Sequence, residues 1–302
     1  MGNISVSVVI PTYKRDQTLP RAINSVLNQT LRDIEVIVVD DNDPTSKERK
    51  QTEFTMLQYA QNERVNYIKH PCNKNGSAAR NTGIRAAKGK YIAFLDDDDE
   101  FMPTKMESQF RKLEMLDSSW AVCYTKYEIR NGDKLISKGV EQREGALMDE
   151  ALMRNLFLCA GSNLMVRKDV LDEINGFDES FKRNQDLEIL VRILEKYKIA
   201  HCDTMGLIVY EHVGNKVDFE KVTTQYLQTF NPYIQRLPIE KQKKVYKMIN
   251  LQRFRSFLFR RQFRECRELI KHTEISLADV IKYILHLTNR FIKKESVGYK
   301  LQ

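Results

Sequence analysis

The chain has 302 residues, 42% hydrophobic and 30% charged, which suits one large buried core or two modest ones and argues against both disorder and a membrane span. Its net charge of +8 is unevenly placed: residues 216–302 carry 19 Lys and Arg against 8 Asp and Glu, whereas residues 1–215 carry 30 against 33. The five cysteines, Cys72, Cys123, Cys159, Cys202 and Cys266, are scattered and lack C-x-x-C spacing, the pattern of structural or incidental reduced thiols and not of disulfides or a zinc site.

In chain order, Ser5 to Ile10 reads as a strand ending at Pro11. Thr18 then offers an N-cap and Pro20 an early helical proline, ahead of Ala22, Ile23, Val26 and Leu27 at helical spacing. A second strand, Ile34 to Val39, runs into Asp40-Asp41, followed by helical sequence over 47–59, a short strand over 65–69 and a helix near 78–87. The apolar run Tyr91 to Leu95 leads straight into four aspartates, Asp96 to Asp99. A helix is expected over 103–116 and a strand over 121–129, with Asn131-Gly132 as a hairpin turn. Residues 146–158 read as helical, 160–166 as strand-like and 187–196 as helical. Alternating strands and helices predict a mostly parallel sheet with helices on both faces, whose ligands lie at the carboxyl ends of the strands. Beyond about 215 the β signal fades into helices, one opened by the capping-box pair Ser276 and Asp279 with Val280, Ile284, Leu287 and Phe291 on one side. The expected domains are therefore 1–215 and a basic helical segment, 216–302.

Four carboxylates a few ångströms apart repel one another, an arrangement that makes sense where a divalent cation with hard oxygen preferences is held. A second acidic pair, Asp40-Asp41, sits at the neighbouring strand end. Together the clusters can divide the binding of a nucleotide: Asp41 accepts from a pyrimidine N–H beside the Tyr13 ring, while Asp97 and Asp98 reach a ribose hydroxyl and a metal on the diphosphate. The bland alternative for either cluster alone is a solvated turn.

The segments Val8 to Arg15, Glu35 to Asp41, Gly76 to Gly83 and Tyr91 to Asp99, in that order, resemble family 2 glycosyltransferases of GT-A fold. The resemblance covers the first third of the chain most clearly and extends to about residue 215. It implies a nucleotide site of Pro11, Thr12, Tyr13, Arg15, Asp41, Arg80, Asp96 and Asp97. The aspartate run takes the place of the family's D-x-D motif, with Asp98 as metal ligand and His212 as a further one, for Mn²⁺ or Mg²⁺. Asn184-Gln185-Asp186 resembles the acidic motif that opens a helix, with Asp186 as general base; many members have Glu where this chain has Gln185. Gly161-Ser162-Asn163 resembles the acceptor-side loop. His70, His201, His272 and His286 have no such context.

The activity so implied is inverting, metal-dependent transfer of a hexose or N-acetylhexosamine from a UDP-sugar to a glycan hydroxyl, on a lipid-linked oligosaccharide of polysaccharide (capsule-type) biosynthesis. The basic tail, with Arg253, Arg255, Arg260, Arg261, Arg264 and Arg267 interleaved with Phe254, Phe257, Phe259 and Phe263, suits peripheral contact with an anionic leaflet. A self-packed helical subdomain with solvated arginines is the plainer reading. With neither a signal-peptide layout nor a spanning apolar run, the expected location is the cytoplasm, peripheral on the inner face of the membrane. Two rivals stand beside this: a phosphate-accepting signalling module, which leaves the second half unexplained, and nucleic-acid binding through the tail, which is not expected.

Overall fold

A computed structural model describes residues 4–181, 184–211 and 219–301. The elements are β1 (Val6–Thr12), α1 (Leu19–Leu27), β2 (Ile34–Asp40), α2 (Lys47–Met56), β3 (Val65–Lys69), α3 (Gly76–Ala86), β4 (Tyr91–Phe94), β5 (Glu100–Phe101) and α4 (Lys105–Glu114). There follow β6 (Trp120–Asn131), β7 (Lys134–Gly139), α5 (Met148–Leu152), α6 (Ala160–Asn163), β8 (Met165–Arg167), α7 (Lys168–Glu173), α8 (Gln185–Leu194) and β9 (Lys198–Tyr210). The chain ends in α9 (Phe219–Gln235), α10 (Ile239–Phe259), α11 (Phe263–His272), α12 (Leu277–Lys293) and β10 (Glu295–Ser296). Two compact units result: residues 1–136, 142–146 and 158–211, and residues 137–141, 147–157 and 212–302.

In the first unit the sheet is mixed. Strands β3, β2, β1 and β4 run parallel in that order, and β8 joins β4 antiparallel and leads to β6. Because strand side chains alternate, β1 serves both faces. Val6, Val8 and Ile10 pack with Leu19, Ala22, Ile23 and Val26 of α1, while Val9 faces α3. There Gly83 is required, since a Cβ on it would lie 2.2 Å from Val9 Cγ1. The hairpin turn holds Gly132 at φ 55°, a conformation that favours glycine. Strand β9 runs parallel to β6 with register shifts around Thr125–Tyr127 and pairs with β5 on its other side.

Several expectations need correction. Thr18 does not cap α1: its backbone is helical and its hydroxyl donates weakly to Arg15 O at 3.4 Å. Residues 160–166 are not a continuous strand, because 160–163 form the helical turn α6 before β8. Helix α5 spans five residues within 146–158.

The second unit has its own core of Tyr226, Phe230, Ile234, Val245, Met248 and Ile249. Asn155 ties its closing segment, donating to Tyr299 O at 2.7 Å and accepting from Tyr299 N at 2.8 Å. The capping box of Ser276 and Asp279 is formed. The tail phenylalanines divide: Phe254 and Phe257 are buried, Phe259 and Phe263 exposed. On α12, Val280 and Tyr283 pack inward while Leu277, Ile281, Leu285, Phe291 and Ile292 are exposed, so Phe291 does not share the burial of Val280. Among the described residues no helix is long and apolar enough to cross a membrane.

Candidate active site

Parallel pairing of β1 with β4 brings the residues after Val9 beside those after Phe94, so Thr12 meets Asp97 across the strand ends. The Thr12 hydroxyl donates to Asp97 Oδ2 at 2.7 Å and Tyr13 N to the same oxygen at 3.3 Å, while Arg15 Nη1 lies 3.5 Å from Oδ1. Burial lifts the Asp97 carboxyl to about 6, against the pull of Thr12 and Arg15. Pro11 precedes Thr12 within β1, paired to Val39, and Tyr13 is exposed with Lys14 Nζ 4.9 Å from its ring centre.

The other three aspartates form one cluster. Asp96, Asp98 and Asp99 each offer a carboxylate oxygen, all within 4.8 Å of one another. Arg80 Nη2 donates to Asp96 Oδ1 at 2.5 Å, Arg15 contacts Asp98, and Tyr210 N donates to Asp99 Oδ1 at 3.3 Å. Burial, and next the charge of Asp96, push the Asp99 carboxyl up to about 7. Three hard oxygen donors this close fit a divalent cation of the Mg²⁺ or Mn²⁺ kind.

Beside the cluster opens a cavity of about 350 Å³, lined among others by Arg80, Asp96, Asp99, Ser162, Gln185 and Asp186. Asp186 lies in the first turn of α8, and burial raises its carboxyl above the ordinary range, with Arg80 opposing. Arg80 joins the two sides of the cavity, because its Nη1 also donates to Gln185 Oε1 at 3.1 Å. A neutral amide at 185 therefore serves as an acceptor for Arg80. Ser162 Oγ accepts from Asp96 N at 3.0 Å, whereas Asn163 turns away to hold buried Lys105, with its Oδ1 2.6 Å from Nζ.

Asp41 is held apart from this cluster by a cage of donors. Its Oδ1 receives His70 Nδ1 at 2.7 Å and Lys74 N at 2.8 Å, and its Oδ2 receives Asn73 Nδ2 and Asn75 N, both at 2.9 Å. Those four donors fill the usual acceptor directions of a carboxylate. His70 is in turn fixed by Thr82 Oγ1 at 2.9 Å from Nε2. Cys72, exposed, immediately precedes the caging loop 73–75.

Solved structures with the same fold are S. aureus TarS (TM-score 0.63, 18% identity, covering 83% of this chain and 43% of that one) and TarS 1-349 in complex with UDP-GlcNAc (TM-score 0.62, 18% identity, 96% and 81%). The architecture is thus GT-A, with helices added after the sheet. Residues 7–175 match the profile "Glycosyl transferase family 2". Escherichia coli UDP-Glc:alpha-D-GlcNAc-diphosphoundecaprenol beta-1,3-glucosyltransferase WfgD is 30% identical over 66% of this chain and 74% of its own length. The amylovoran biosynthesis glycosyltransferase AmsB of Erwinia amylovora is 25% identical over 78% and 81%. The chain belongs to glycosyl transferase family 2 and is a glycosyltransferase, which removes the signalling-module reading.

The structure gathers Arg80, Asp96 and Asp186 at one cavity, sets Pro11, Thr12, Tyr13, Arg15 and Asp97 along the adjoining strand end, and groups Asp98 with Asp96 and Asp99. His212 lies outside the described residues. Sequence reasoning took Asp96 to Asp99 together as a cation-holding cluster but named only Asp98 among them as the ligand and not Asp99, and it missed His70 as the holder of Asp41. The aspartate run itself carried a signal for Asp99; for His70 there was none before the loop was folded.

Proposed function

We propose that the first unit catalyses inverting transfer of a hexose or N-acetylhexosamine from a UDP-sugar to a hydroxyl of a lipid-linked oligosaccharide in polysaccharide biosynthesis. The observation that carries this reading is the Asp96, Asp98 and Asp99 trio beside the cavity that holds Asp186. The donor and acceptor classes draw support from the UDP-GlcNAc complex of TarS and the diphosphoundecaprenol acceptor in the name of WfgD.

Asp96, Asp98 and Asp99 would hold a divalent cation, which when bound offsets the charge of the departing diphosphate. Thr12 and Asp97 face the ribose side. Asp41 takes the uracil N–H by giving up one cage donor, the Asn73 amide being the side chain freest to swing away. Asp186 removes the proton of the acceptor hydroxyl as its oxygen bonds to the anomeric carbon and the bond from that carbon to the UDP oxygen breaks. A carboxyl lifted by burial is a stronger base than a solvated one, which suits that task. Arg80, bridging Asp96 and Gln185, keeps the donor and acceptor sides in register.

The second unit is read as a peripheral membrane contact at the cytoplasmic face. Its excess of Lys and Arg and the exposed Leu277, Ile281, Leu285, Phe291 and Ile292 on α12 support that placement.

The test is calorimetric titration of UDP with and without Mn²⁺ on wild type and Asp98→Ala. Metal-dependent binding that disappears in the variant is expected; equal UDP binding in EDTA would overturn the reading. Transfer to undecaprenyl-diphosphate-linked acceptors then identifies the sugar.

A further inference from the structure

The second unit contains a cavity of about 140 Å³, well above the roughly 10–15 Å³ that one water needs and on the scale of a phosphoryl group. Arg154, Arg255 and Arg290 line it together with Gln252, Tyr283 and His286, and among the described residues no carboxylate does. Elsewhere in this unit cations find acids: Lys241 with Asp149 at 3.2 Å, Lys247 with Asp279 at 2.8 Å and Arg253 with Glu220 at 2.9 Å. Arg154 and Arg255 make no such pair among the described residues. Arg154 instead lies over aromatic rings, 5.8 Å from the centre of Phe219 and 5.3 Å from that of Tyr226. Arg290 lies 4.0 Å from the centre of Phe157 and donates from Nε to Glu295 O at 3.3 Å.

Ring faces offset part of the cost of drying a guanidinium but cancel none of its charge. Burial, with the nearby Arg255 adding to it, already pulls the Arg154 pKa down. A structural role alone would be met better by a neutral side chain at 255, two residues from the acid-paired Arg253 on the same helix. Planar guanidinium forks lining a small concavity suit the tetrahedral oxygens of phosphate.

We propose that this cavity is an anion site that takes a phosphoryl or diphosphoryl group, separate from the donor site and independent of the function proposed for it. The group comes either from a free phosphate compound or from a lipid headgroup. The full chain in EDTA is titrated with inorganic diphosphate, and in a second arm mixed with phosphatidic acid vesicles and phosphatidylcholine vesicles, as wild type, Arg255→Gln, Arg255→Lys and Arg154→Gln.

Diphosphate binding weakened roughly tenfold by Arg255→Gln, the scale of one charge-assisted hydrogen bond, supports the site with a soluble source. Arg255→Lys should restore part of that loss. Vesicle capture specific to phosphatidic acid and weakened to the same extent, without diphosphate binding, supports the site with a lipid source. The Gln variant should melt no lower than wild type, because it removes self-repulsion, and should bind UDP with Mn²⁺ unchanged. Diphosphate and vesicle binding both unaffected by Arg255→Gln and by Arg154→Gln, or absent from wild type, would overturn the proposal whatever the UDP titration shows.

Discussion

At the end of β4, four carboxylates crowd together with Arg15 reaching Asp97 and Asp98 and Arg80 reaching Asp96. Around the cavity of the second unit, Arg154 and Arg255 gather with no carboxylate in the lining among the described residues. Both regions carry an excess of charge of one sign in partly dried surroundings, where an uncompensated charge costs several kcal/mol by order of magnitude. Such an excess is a statement about the sign of the missing partner: a cation in the first case, an anion in the second. The two differ in that the acidic site carries arginine counter-charges that fix its geometry, whereas the basic site leans on aromatic faces.

That contrast can be broken most decisively at Asp186. Asp186→Asn should retain UDP affinity and lose about 10²–10⁴-fold in transfer rate, the span of one general base; a steady-state assay showing normal transfer would end its assignment. Next in size, His70→Ala removes one donor of the Asp41 cage, and Kd for UDP should rise about tenfold with its metal dependence intact. His70→Gln should recover part of it. Asp99→Asn sharpens the comparison directly. Relief of like-charge crowding should stabilise the fold by about 0.5–2 kcal/mol in urea unfolding while Mn²⁺-dependent UDP binding weakens; a less stable variant would mean the cluster is structural.

The last prediction is a slope. Burial lowers the Lys105 ammonium to about 7 from its ordinary 10.5. Between those values the unfolded chain holds a proton that the folded chain lacks, so stability should rise with pH across that window and be lost as pH falls through 7. Denaturation midpoints of wild type and Lys105→Met across roughly pH 6.5–10 check it, the variant being the flatter.

The parallel half of the sheet was legible because β1, β2 and β4 are buried on both faces and read as near-continuous apolar runs, broken only by single residues such as Ser7 and Glu35. Strand β9 was not. Its middle, Cys202-Asp203-Thr204, is polar, and the register against β6 slips there, so the strand is defined by a partner some 80 residues away. Gly206 within it lets Thr125 approach, since a Cβ would lie 2.5 Å from Thr125 Oγ1. The same limit applies at the site. Asp96 to Asp99 and Asp186 announced themselves by composition and motif, and the structure places Asp96, Asp99 and Asp186 at one cavity. The cage around Asp41 depends on two main-chain N–H groups and on Asn75 at φ 89°, which no residue pattern reveals.

Cys72 has a practical consequence. It is exposed beside the loop that cages Asp41, whereas Cys123, Cys202 and Cys266 are buried and Cys159 is partly so, with its thiol pushed up to about 12 by burial. A thiol-reactive fluorophore should therefore mark this one position first without any introduced cysteine. Its emission would then follow, in real time, the exchange of the Asp41 cage for an incoming base.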